Sequence, residues 1–447
     1  MSGNGKLPRR DFLKQAAGVI VAATQSGHWA EAAQAQETPH RNVGADHPLG
    51  QTEISYPRVF EGRQLKMISF PLGGVAAGSL GLGGRGQLRD WEIFNRPNQG
   101  GSPAYAFPAI WIQSGKSKPI AHVLESRILP PYQGESGLGS NNAPGLSRLE
   151  GAKFTGEYPL AHIDFEDRRL PVKVELDAFS PFIPHDPDDS GLPVAVLRYR
   201  VSNPGLQAVK VGIAFSIDNP VAAGPSKSSP FLKSDTRLNE YRTGERLQGL
   251  LMSNPSLPSD DPMHGSFVLA AMPGEKTNVT YWRGWPKEAW WTAPLLYWDE
   301  FSKHGQLGTE PSPRNAVGAL CQQTSIAAGQ SGSFTFLLAW HFPNRTPAWC
   351  GWSAPPGEEN TIIGNFYATR VKDAWEAAQY TASHLPQLES RTRAFADAFG
   401  KSTVPDVVKE AASANLSTLA STTCFRTADG EFHGFEGSND ASGCCFG

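Results

Sequence analysis

This sequence of 447 residues has few cysteines, a small net charge and no long apolar run. The five cysteines begin only at Cys321, too few and too late in the chain for the disulfide framework of a small scaffold. A formal net charge of −3 gives no electrostatic basis for binding nucleic acid. No stretch approaches the roughly 20 apolar residues that cross a bilayer. We therefore expect no nucleic-acid partner and no transmembrane segment.

Glycine, proline and aromatic residues are abundant instead. The chain has 46 glycines, 36 prolines and 10% aromatic residues. This composition is typical of β-sandwiches and of proteins that stack sugars on aromatic rings, and it does not separate the two. With 39% hydrophobic and 19% charged residues the chain is not disordered, and its length predicts two or three domains because one core stops growing at roughly 250–300 residues.

The first 35 residues have the pattern of a twin-arginine export signal. An apolar run over residues 16–24 follows the arginine pair, and Ala33-Gln34-Ala35 supplies a small-x-small cleavage site. The alternative is an amphipathic N-terminus of a cytoplasmic protein. We expect the twin-arginine export machinery as a partner and a periplasmic or secreted location. The residues of the signal are Arg9, Arg10, Phe12, Leu13 and Lys14.

A glycine-rich segment over residues 67–86 precedes the motif Arg89-Asp90-Trp91-Glu92. A phosphate-binding loop would need a helix directly after its glycines, and no Gly-Lys-Ser/Thr occurs here. The segment therefore predicts tight turns between strands and close backbone packing.

Residues 104–345 alternate short strand-like segments with turn residues. Residues 194–201 alternate with period two, and residues 209–216 look like their hairpin partner across Asn203-Pro204-Gly205. The expected architecture is mainly β, an antiparallel β-sandwich whose strands each have one buried and one wetter face.

The pattern changes to helical spacing near residue 360. One helix is predicted to begin near Asn365, a second covers residues 385–398, and a third carries an apolar stripe that starts at Val408. A short hairpin with Asp429-Gly430 as its turn is predicted over residues 423–437. Since two or three helices cannot close a bundle, we expect this helical part to be incomplete. The stripe comprises Val408, Ala412, Leu416 and Leu419.

Several long motifs in order along the chain are similar to glycoside hydrolase family 116, which includes non-lysosomal glucosylceramidase and bacterial β-glucosidases. The resemblance covers nearly all of the chain after the signal. The motifs are Phe70-Pro71-Leu72-Gly73-Gly74 with Gly78, Trp91-Glu92-Ile93 with Asn95, Ser180-Pro181-Phe182-Ile183-Pro184-His185-Asp186, Asp188-Asp189-Ser190, Leu192-Pro193-Val194-Ala195, Phe342-Pro343-Asn344-Arg345, Tyr367-Ala368-Thr369-Arg370, Lys372-Asp373-Ala374-Trp375, and residues 434–447.

The resemblance implies a β-sandwich packed on an (α/α)6 barrel and retaining hydrolysis of β-glycosides such as a β-glucoside or a glucosylceramide-like substrate, without a cofactor. The implied domains are the signal over residues 1–35, a linker over 36–64, the sandwich over 65–350 and the start of the catalytic domain over 351–447.

Retaining hydrolysis needs a Glu nucleophile and an Asp acid/base about 5–5.5 Å apart. In the family both follow a Gly-x-Cys-x-Gly region, which corresponds here to residues 443–447. The resemblance therefore places no catalytic residue on this sequence, and we expect the chain by itself to be inactive. The alternatives are a secreted, non-catalytic sandwich that binds glycans or glycolipids, and a purely structural sandwich.

Three groups of residues remain as candidate sites. His185, Asp186, Asp188 and Asp189 could hold a cation or form a hydrogen-bonded acidic turn near a domain interface, which the resemblance favours. A crowded aromatic stretch could stack on sugars or close the end of a sandwich. Three late cysteines could bind a metal, but no Cys-x-x-Cys pair occurs and buried thiols are the favoured interpretation. The aromatic residues are Trp285, Trp290, Trp291, Tyr297 and Trp298, and the cysteines are Cys424, Cys444 and Cys445.

Overall fold

In the computed structural model the described residues are 54–128, 142–143, 145–221, 236–286, 289, 292–311, 315–434, 438–439 and 442–443. The predicted export signal, with Arg9, Arg10, Phe12, Leu13 and Lys14, lies outside these residues. So do Trp290, Trp291, Cys444 and Cys445.

Nine antiparallel strands form the larger of two main sheets, in the order β1-β8-β9-β10-β11-β18-β15-β14-β13. In β10 the inward side chains of Val174 and Leu176 alternate with more exposed Lys173, Glu175 and Asp177. Numbered in chain order, these strands are β1 (Arg58–Glu61), β8 (Gly151–Glu157), β9 (Leu160–Glu166), β10 (Lys173–Phe179), β11 (Val194–Ser202), β13 (Leu238–Thr243), β14 (Gln248–Ser253), β15 (Ser266–Met272) and β18 (Ser331–His341).

Six strands form the second sheet, in the order β16-β17-β12-β5-β6-β7. All pairs are antiparallel except β6 with β7. The main core lies between the two sheets and includes the fully buried rings of Tyr199, Phe215, Phe336 and Trp340. The strands are β5 (Phe107–Ser114), β6 (Ile120–Ser126), β7 (Arg148–Leu149), β12 (Val209–Asp218), β16 (Asn278–Trp282) and β17 (Val317–Ile326). The predicted antiparallel sandwich is confirmed. The expected wetter face is wrong for central strands such as β12 and β18, which are buried on both faces because helices cover the outer faces of the two sheets.

The predicted hairpin between residues 194–201 and 209–216 is wrong. β11 pairs with β10 and β18 in the larger sheet, whereas β12 pairs with β17 and β5 in the second sheet. The connection between them crosses from one sheet to the other beside the β17–β18 turn, where the Asn203 side-chain amide donates to the carbonyls of Ile326 and Ala327 at 3.1 Å each. Turn residues and alternation identify two strands that follow one another along the chain. They do not determine which sheet each strand joins.

The glycine-rich segment forms a three-stranded antiparallel sheet, as its pattern predicts. A side chain on Gly74 would collide with the backbone of Gly191 and Leu192, which explains why a glycine is needed at that position. The strands are β2 (Ser69–Leu72), β3 (Ser79–Gly83) and β4 (Leu88–Glu92).

Six α-helices occur in the described part of the chain, together with two short 3-10 helices. The α-helices are α1 (Pro187–Ser190), α2 (Ala293–His304), α3 (Pro347–Cys350), α4 (Tyr367–Arg370), α5 (Ala374–Gly400) and α6 (Asp406–Leu416), and the 3-10 helices are Gly62–Met67 and Ser417–Ala420. The sequence pattern did not predict α2, which covers the outer face of the second sheet with Ala293, Tyr297 and Phe301 buried.

The helix predicted from Asn365 and the helix predicted over residues 385–398 are a short turn followed by one long helix. α4 ends at Arg370, and α5 begins after Asp373, whose carboxylate accepts a hydrogen bond from the backbone N–H of Glu376 at 2.8 Å. α5 continues through Pro386 for 27 residues. Its apolar face packs on the outer face of the larger sheet, against residues such as Val196 and Leu337. A third layer therefore covers the larger sheet.

The stripe predicted for α6 is wrong at its start, although Leu416 and Leu419 at its other end pack against the main core. Val408 is 50% exposed, whereas Lys409 and Ser413 are buried. The reason is polar: the ammonium of Lys409 donates to the carbonyl of Gly400 at 2.9 Å, while Glu410 pairs with Arg58 at 3.3 Å. Hydrogen bonding to the end of α5 and to the sheet thus determines which face of α6 points inward.

The hairpin predicted near the end of the sequence is confirmed. β19 (Cys424–Arg426) pairs with β20 (Phe432–Gly434) in antiparallel register, and Gly430 adopts a φ of 95° in the turn. The last described pair of strands is β21 (Ser438–Asn439) with β22 (Ser442–Gly443).

Candidate functional site

The acidic residues at 186–189 form the hydrogen-bonded turn that the sequence favoured. The carboxylate of Asp186 accepts from the backbone N–H of Asp189 at 3.1 Å and so caps α1. Arg391 on α5 donates to the other oxygen of Asp186 at 2.7 Å. Although burial opposes the shift, these hydrogen bonds and the Arg391 charge lower the pKa of Asp186.

The neighbouring acids contact the helical part of the chain. Asp188 accepts from Arg426 of β19 at 3.0 Å, and Asp189 accepts from the hydroxyl of Tyr380 on α5 at 2.8 Å. Each carboxylate therefore has its own donor. No group of three or more His, Cys, Asp or Glu side chains within the described residues could hold a metal ion. The turn joins the sandwich to α5 and the hairpin.

The aromatic stretch near α2 is interior packing where it is described. Trp285 and Tyr297 are both fully buried, and their rings stack with centroids 4.4 Å apart and planes 12° apart. Trp298 is partly buried and packs against the same cluster. A ring with no exposed face cannot stack on a sugar, so Trp285 and Tyr297 are interior packing on the outer face of the second sheet.

The described cysteines are free thiols, and Cys321 and Cys350 are buried. Burial raises the pKa of Cys321, Cys350 and Cys424. Protonated thiols are poor nucleophiles and poor metal ligands. Cys424, for which a buried thiol was the favoured interpretation, is only partly buried.

The sequence did not predict that Arg345 is buried, although Arg345 and its partner Asn95 both stand in the motifs quoted above. Arg345 is 6% exposed, and its Nε donates to the side-chain oxygen of Asn365 at 2.8 Å. Its Nη2 donates to the side-chain oxygen of Asn95 at 3.3 Å, and its Nη1 lies 3.6 Å from the sulfur of Cys350. Burial lowers the pKa of Arg345. Within the described residues no carboxylate pairs with this guanidinium, so neutral acceptors surround a buried cation.

Aromatic rings complete the surroundings of Arg345. Its guanidinium lies 4.8 Å from the ring centroid of Phe425 and 5.6 Å from that of Trp352. Phe425 stacks on Trp352 at 4.4 Å and on His433 at 4.8 Å. Through Phe425 the arginine holds the β19–β20 hairpin against the sandwich.

Glu92 makes a second connection to the segment before the hairpin. Its Oε2 accepts from the hydroxyl of Thr422 at 3.1 Å, and its Oε1 accepts from the backbone N–H of Asn98 at 3.4 Å. Burial raises the pKa of Glu92, and these two hydrogen bonds partly offset the effect. The carboxylate therefore positions the chain around Thr422 beside the end of β4.

A cleft of about 230 Å³ lies between the C-terminal half of α5 and strands β8, β9 and β10. The sequence pattern did not predict it, because its lining comes from distant parts of the chain. Its polar lining residues are Thr155, Glu157, His162, Asp177 and Arg393.

Hydrogen bonds fix two of these side chains. His162 Nδ1 lies 2.8 Å from Asp177 Oδ1, and its Nε2 lies 3.4 Å from Asp164. The hydrogen bond with Asp177 raises the pKa of His162 against the effect of burial. Asp177 also accepts from Arg200 at 3.2 Å. His162 and Asp177 thus form a hydrogen-bonded pair in the wall of the cleft.

Glu157 differs because it has no hydrogen-bond partner among the described residues. Burial raises its pKa, the charge of Asp397 adds to this effect, and the charge of Arg393 partly offsets it. On the opposite wall, Nε of Arg393 donates a hydrogen bond to Glu389 at 2.9 Å. Glu389 also accepts hydrogen bonds from both terminal nitrogens of Arg198, at 2.7 and 2.8 Å. The cleft therefore presents one unpaired carboxylate opposite one anchored guanidinium.

None of the described helices is long and apolar enough to cross a bilayer.

Solved structures similar to this chain include a protein assigned as a kojibiose phosphorylase from human microbiome. It matches at 9% identity and a TM-score of 0.38, over 83% of this chain and 42% of that one. A bacterial glucoamylase complexed with acarbose matches at 7% identity and a TM-score of 0.36, over 75% of this chain and 39% of that one. This chain thus spans about two fifths of the length of either structure.

The sequence comparison gives the family. The family profile described as "beta-glucosidase 2, glycosyl-hydrolase family 116 N-term" matches residues 69–388. The match begins at β2, includes every strand of the second sheet and all but β1 of the larger one, and ends within α5. The chain therefore belongs to glycosyl-hydrolase family 116 and carries the N-terminal domain of that glycosidase family.

Proposed function

We propose that this chain is the N-terminal part of an exported glycosidase of the β-glucosidase or glucosylceramidase type, which hydrolyses β-glycosides with retention. The observation that carries the proposal is the family match over residues 69–388, which takes in the sandwich and most of the helix packed on it. The sandwich is the support on which a catalytic helical domain is built.

The helical domain proposed here is an (α/α)6 barrel that begins with α5 and α6. The start of α6 turns an apolar face to solvent, where Val407 and Val408 are exposed by 51% and 50% and Val404, just before the helix, by 41%. A helical layer packed on α6 would cover such a face. The acidic turn, Arg345 and Glu92 would then fix the first helices and the hairpin to the sandwich.

We assign the two catalytic carboxylates to chain that follows the Gly-x-Cys-x-Gly region. The acids that the sandwich presents to the helical part have other partners: Asp186 binds Arg391, Asp188 binds Arg426, and Glu92 binds Thr422. Retaining chemistry needs two carboxylates that face one glycosidic bond about 5–5.5 Å apart. In this proposal residues 1–447 alone are inactive.

The test compares two polypeptides expressed in a bacterium with the proposed signal intact: residues 1–447, and the same chain extended to the next in-frame stop codon. We expect both in the periplasmic fraction and hydrolysis of an aryl β-glucoside only by the extended one. Hydrolysis by residues 1–447 would refute the assignment of the carboxylates. Inactivity of both would favour the non-catalytic glycan-binding module, and retention in the cytoplasm would refute export.

A further inference from the structure

We propose that the cleft between α5 and strands β8 to β10 binds a neutral polyhydroxylated ligand the size of one sugar ring. The proposal rests on the proposed function only for the choice of glucose as probe. The chemistry of the ligand follows from the charges, the free hydrogen-bonding groups and the dimensions of the cleft.

The charges that line the cleft balance. Glu157 faces the guanidinium of Arg393 across the cleft, and Asp177 is paired with Arg200 at 3.2 Å. Of the flanking groups, Glu389 is paired with Arg198 at 2.7 Å, and the His162 ring lies between Asp177 and Asp164 at 2.8 and 3.4 Å. An anion would meet the carboxylates of Glu157 and Asp177 and a cation would meet the guanidinium of Arg393, so the lining favours a ligand without net charge.

The free groups of the lining complement hydroxyl groups. Glu157 offers both carboxylate oxygens as acceptors, because none of the described residues donates to it. Arg393 uses Nε for Glu389 and keeps its two terminal nitrogens as donors. Thr155 can donate or accept. A diol that donates one hydroxyl to Glu157 and accepts at the other from Arg393 would satisfy both walls at once.

The positions of Asp177 and Arg393 are set before any ligand arrives. Asp177 is held by His162 and Arg200, and the two hydrogen bonds between Arg198 and Glu389 anchor the acceptor of Arg393. Such preorganisation reduces the entropy lost on binding.

The dimensions limit the ligand to a small one. A volume of about 230 Å³ is below the roughly 300–1,000 Å³ of sites for drug-sized ligands. Leu160 adds apolar lining beside the polar groups, as the C–H face of a pyranose requires. A neutral ligand of about a dozen non-hydrogen atoms is expected to bind with a Kd of the order of 1–10 mM.

The experiment is a saturation-transfer NMR titration of the whole chain with D-glucose. Glu157→Gln replaces one acceptor oxygen by a donor and is expected to weaken binding about tenfold. The matched control is Glu175→Gln, because Glu175 lies on the same face of β10 as Asp177, one row away, and does not line the cleft. The control is expected to bind glucose like the parent.

A second variant keeps the test valid if Glu157→Gln does not fold. Thr155→Val preserves shape and removes a hydroxyl, and it is also expected to reduce the affinity for glucose. Absence of saturable binding to the parent, or equal affinity in the parent and both cleft variants, would overturn the proposal. So would full competition by glycerol at the same concentration, because a site for one ring discriminates against an acyclic polyol. The titration needs no hydrolysis, so its failure is separate from failure of the proposed function.

Discussion

Arg345 shows how a single residue can join two parts of this molecule. A buried charge is costly unless it is hydrogen-bonded, and in the described residues its acceptors are two amide oxygens and a thiol sulfur rather than a carboxylate. The planar guanidinium reaches Asn95, Asn365 and Cys350 simultaneously and still presents its face to Phe425. A lysine has neither the geometry nor the flat face to do the same.

We therefore predict that Arg345→Lys lowers the free energy of unfolding by about 2–4 kcal/mol, because it leaves an amide oxygen without its donor and keeps a charge in the interior. The measurement is urea denaturation followed by tryptophan fluorescence. The control is Arg283→Lys in the exposed pair with Glu310, which should cost less than about 1 kcal/mol. Equal costs for the two substitutions would show that the geometry around Arg345 is unimportant.

Adjacent strands of the larger sheet carry matched rows of polar side chains on the face beside α5. His162 of β9 stands opposite Asp177 of β10, which in turn stands opposite Arg198 of β11. Opposite charges in such cross-strand pairs stabilise a sheet by roughly 0.2–1 kcal/mol each. Here the row also bonds α5, because Arg198 binds Glu389.

The His162–Asp177 pair makes stability depend on pH. The hydrogen bond raises the folded pKa of His162 above the unfolded value of about 6.5, so its contribution is full below about pH 6.5 and is lost as pH rises through the folded pKa. Burial lowers the pKa of His122 and His341, so their contributions to stability change with pH in the opposite direction. We therefore predict the effect in the difference between parent and His162→Gln, measured as free energy of unfolding between pH 5 and 9.

That difference should be largest at the acidic end of the range and shrink with rising pH. Asp177→Asn is the matched control, because it removes the carboxylate acceptor and leaves the imidazole in place. Its free energy of unfolding should also change less with pH than that of the parent at the acidic end of the range. A difference that does not change with pH would mean that His162 is not protonated in the folded chain.

At the scale of single elements, the sequence predicted local secondary structure better than it predicted which elements pack or pair with each other. Strands, the β19–β20 turn and the start of helical structure follow from period-two alternation, Asp-Gly and i, i+4 spacing. The hairpin of β11 with β12 was wrong because both strands are largely buried, and the sequence of neither one specifies which of the two sheets it joins. The stripe on α6 was right at Leu416 and Leu419 but wrong at Val408, because Lys409 finds its acceptor at the end of α5, which no helical period reveals.

The sites follow the same division. The acidic turn at residues 186–189 could be recognised because its capping residue, proline and acids are consecutive. The cleft could not, because Glu157, His162, Asp177 and Arg393 come from three strands and a helix more than 200 residues further along the chain. Their proximity depends on strand order and on where α5 crosses the sheet, and both are properties of the tertiary fold.

At the scale of the whole molecule, α5 is as much a layer of the sandwich as a start of the helical part. It covers an apolar surface on the larger sheet to which Phe179, Val196, Val268 and Leu337 contribute, all of them fully buried. A boundary at residue 350, which the family resemblance implies, separates this helix from the surface it covers. The family match runs past that point to residue 388.

We predict that the folding unit extends through α5. A polypeptide of residues 36–350 should expose that apolar face, bind a hydrophobic dye and elute as an aggregate. Residues 36–403 should be monodisperse with one cooperative thermal transition. Each large side chain uncovered costs about 1.5–3 kcal/mol, so a handful equals the 5–15 kcal/mol that stabilises a whole domain. A soluble, cooperatively unfolding 36–350 polypeptide would instead show that the two sheets suffice, and that α5 docks onto a finished sandwich as the first element of a separate catalytic domain.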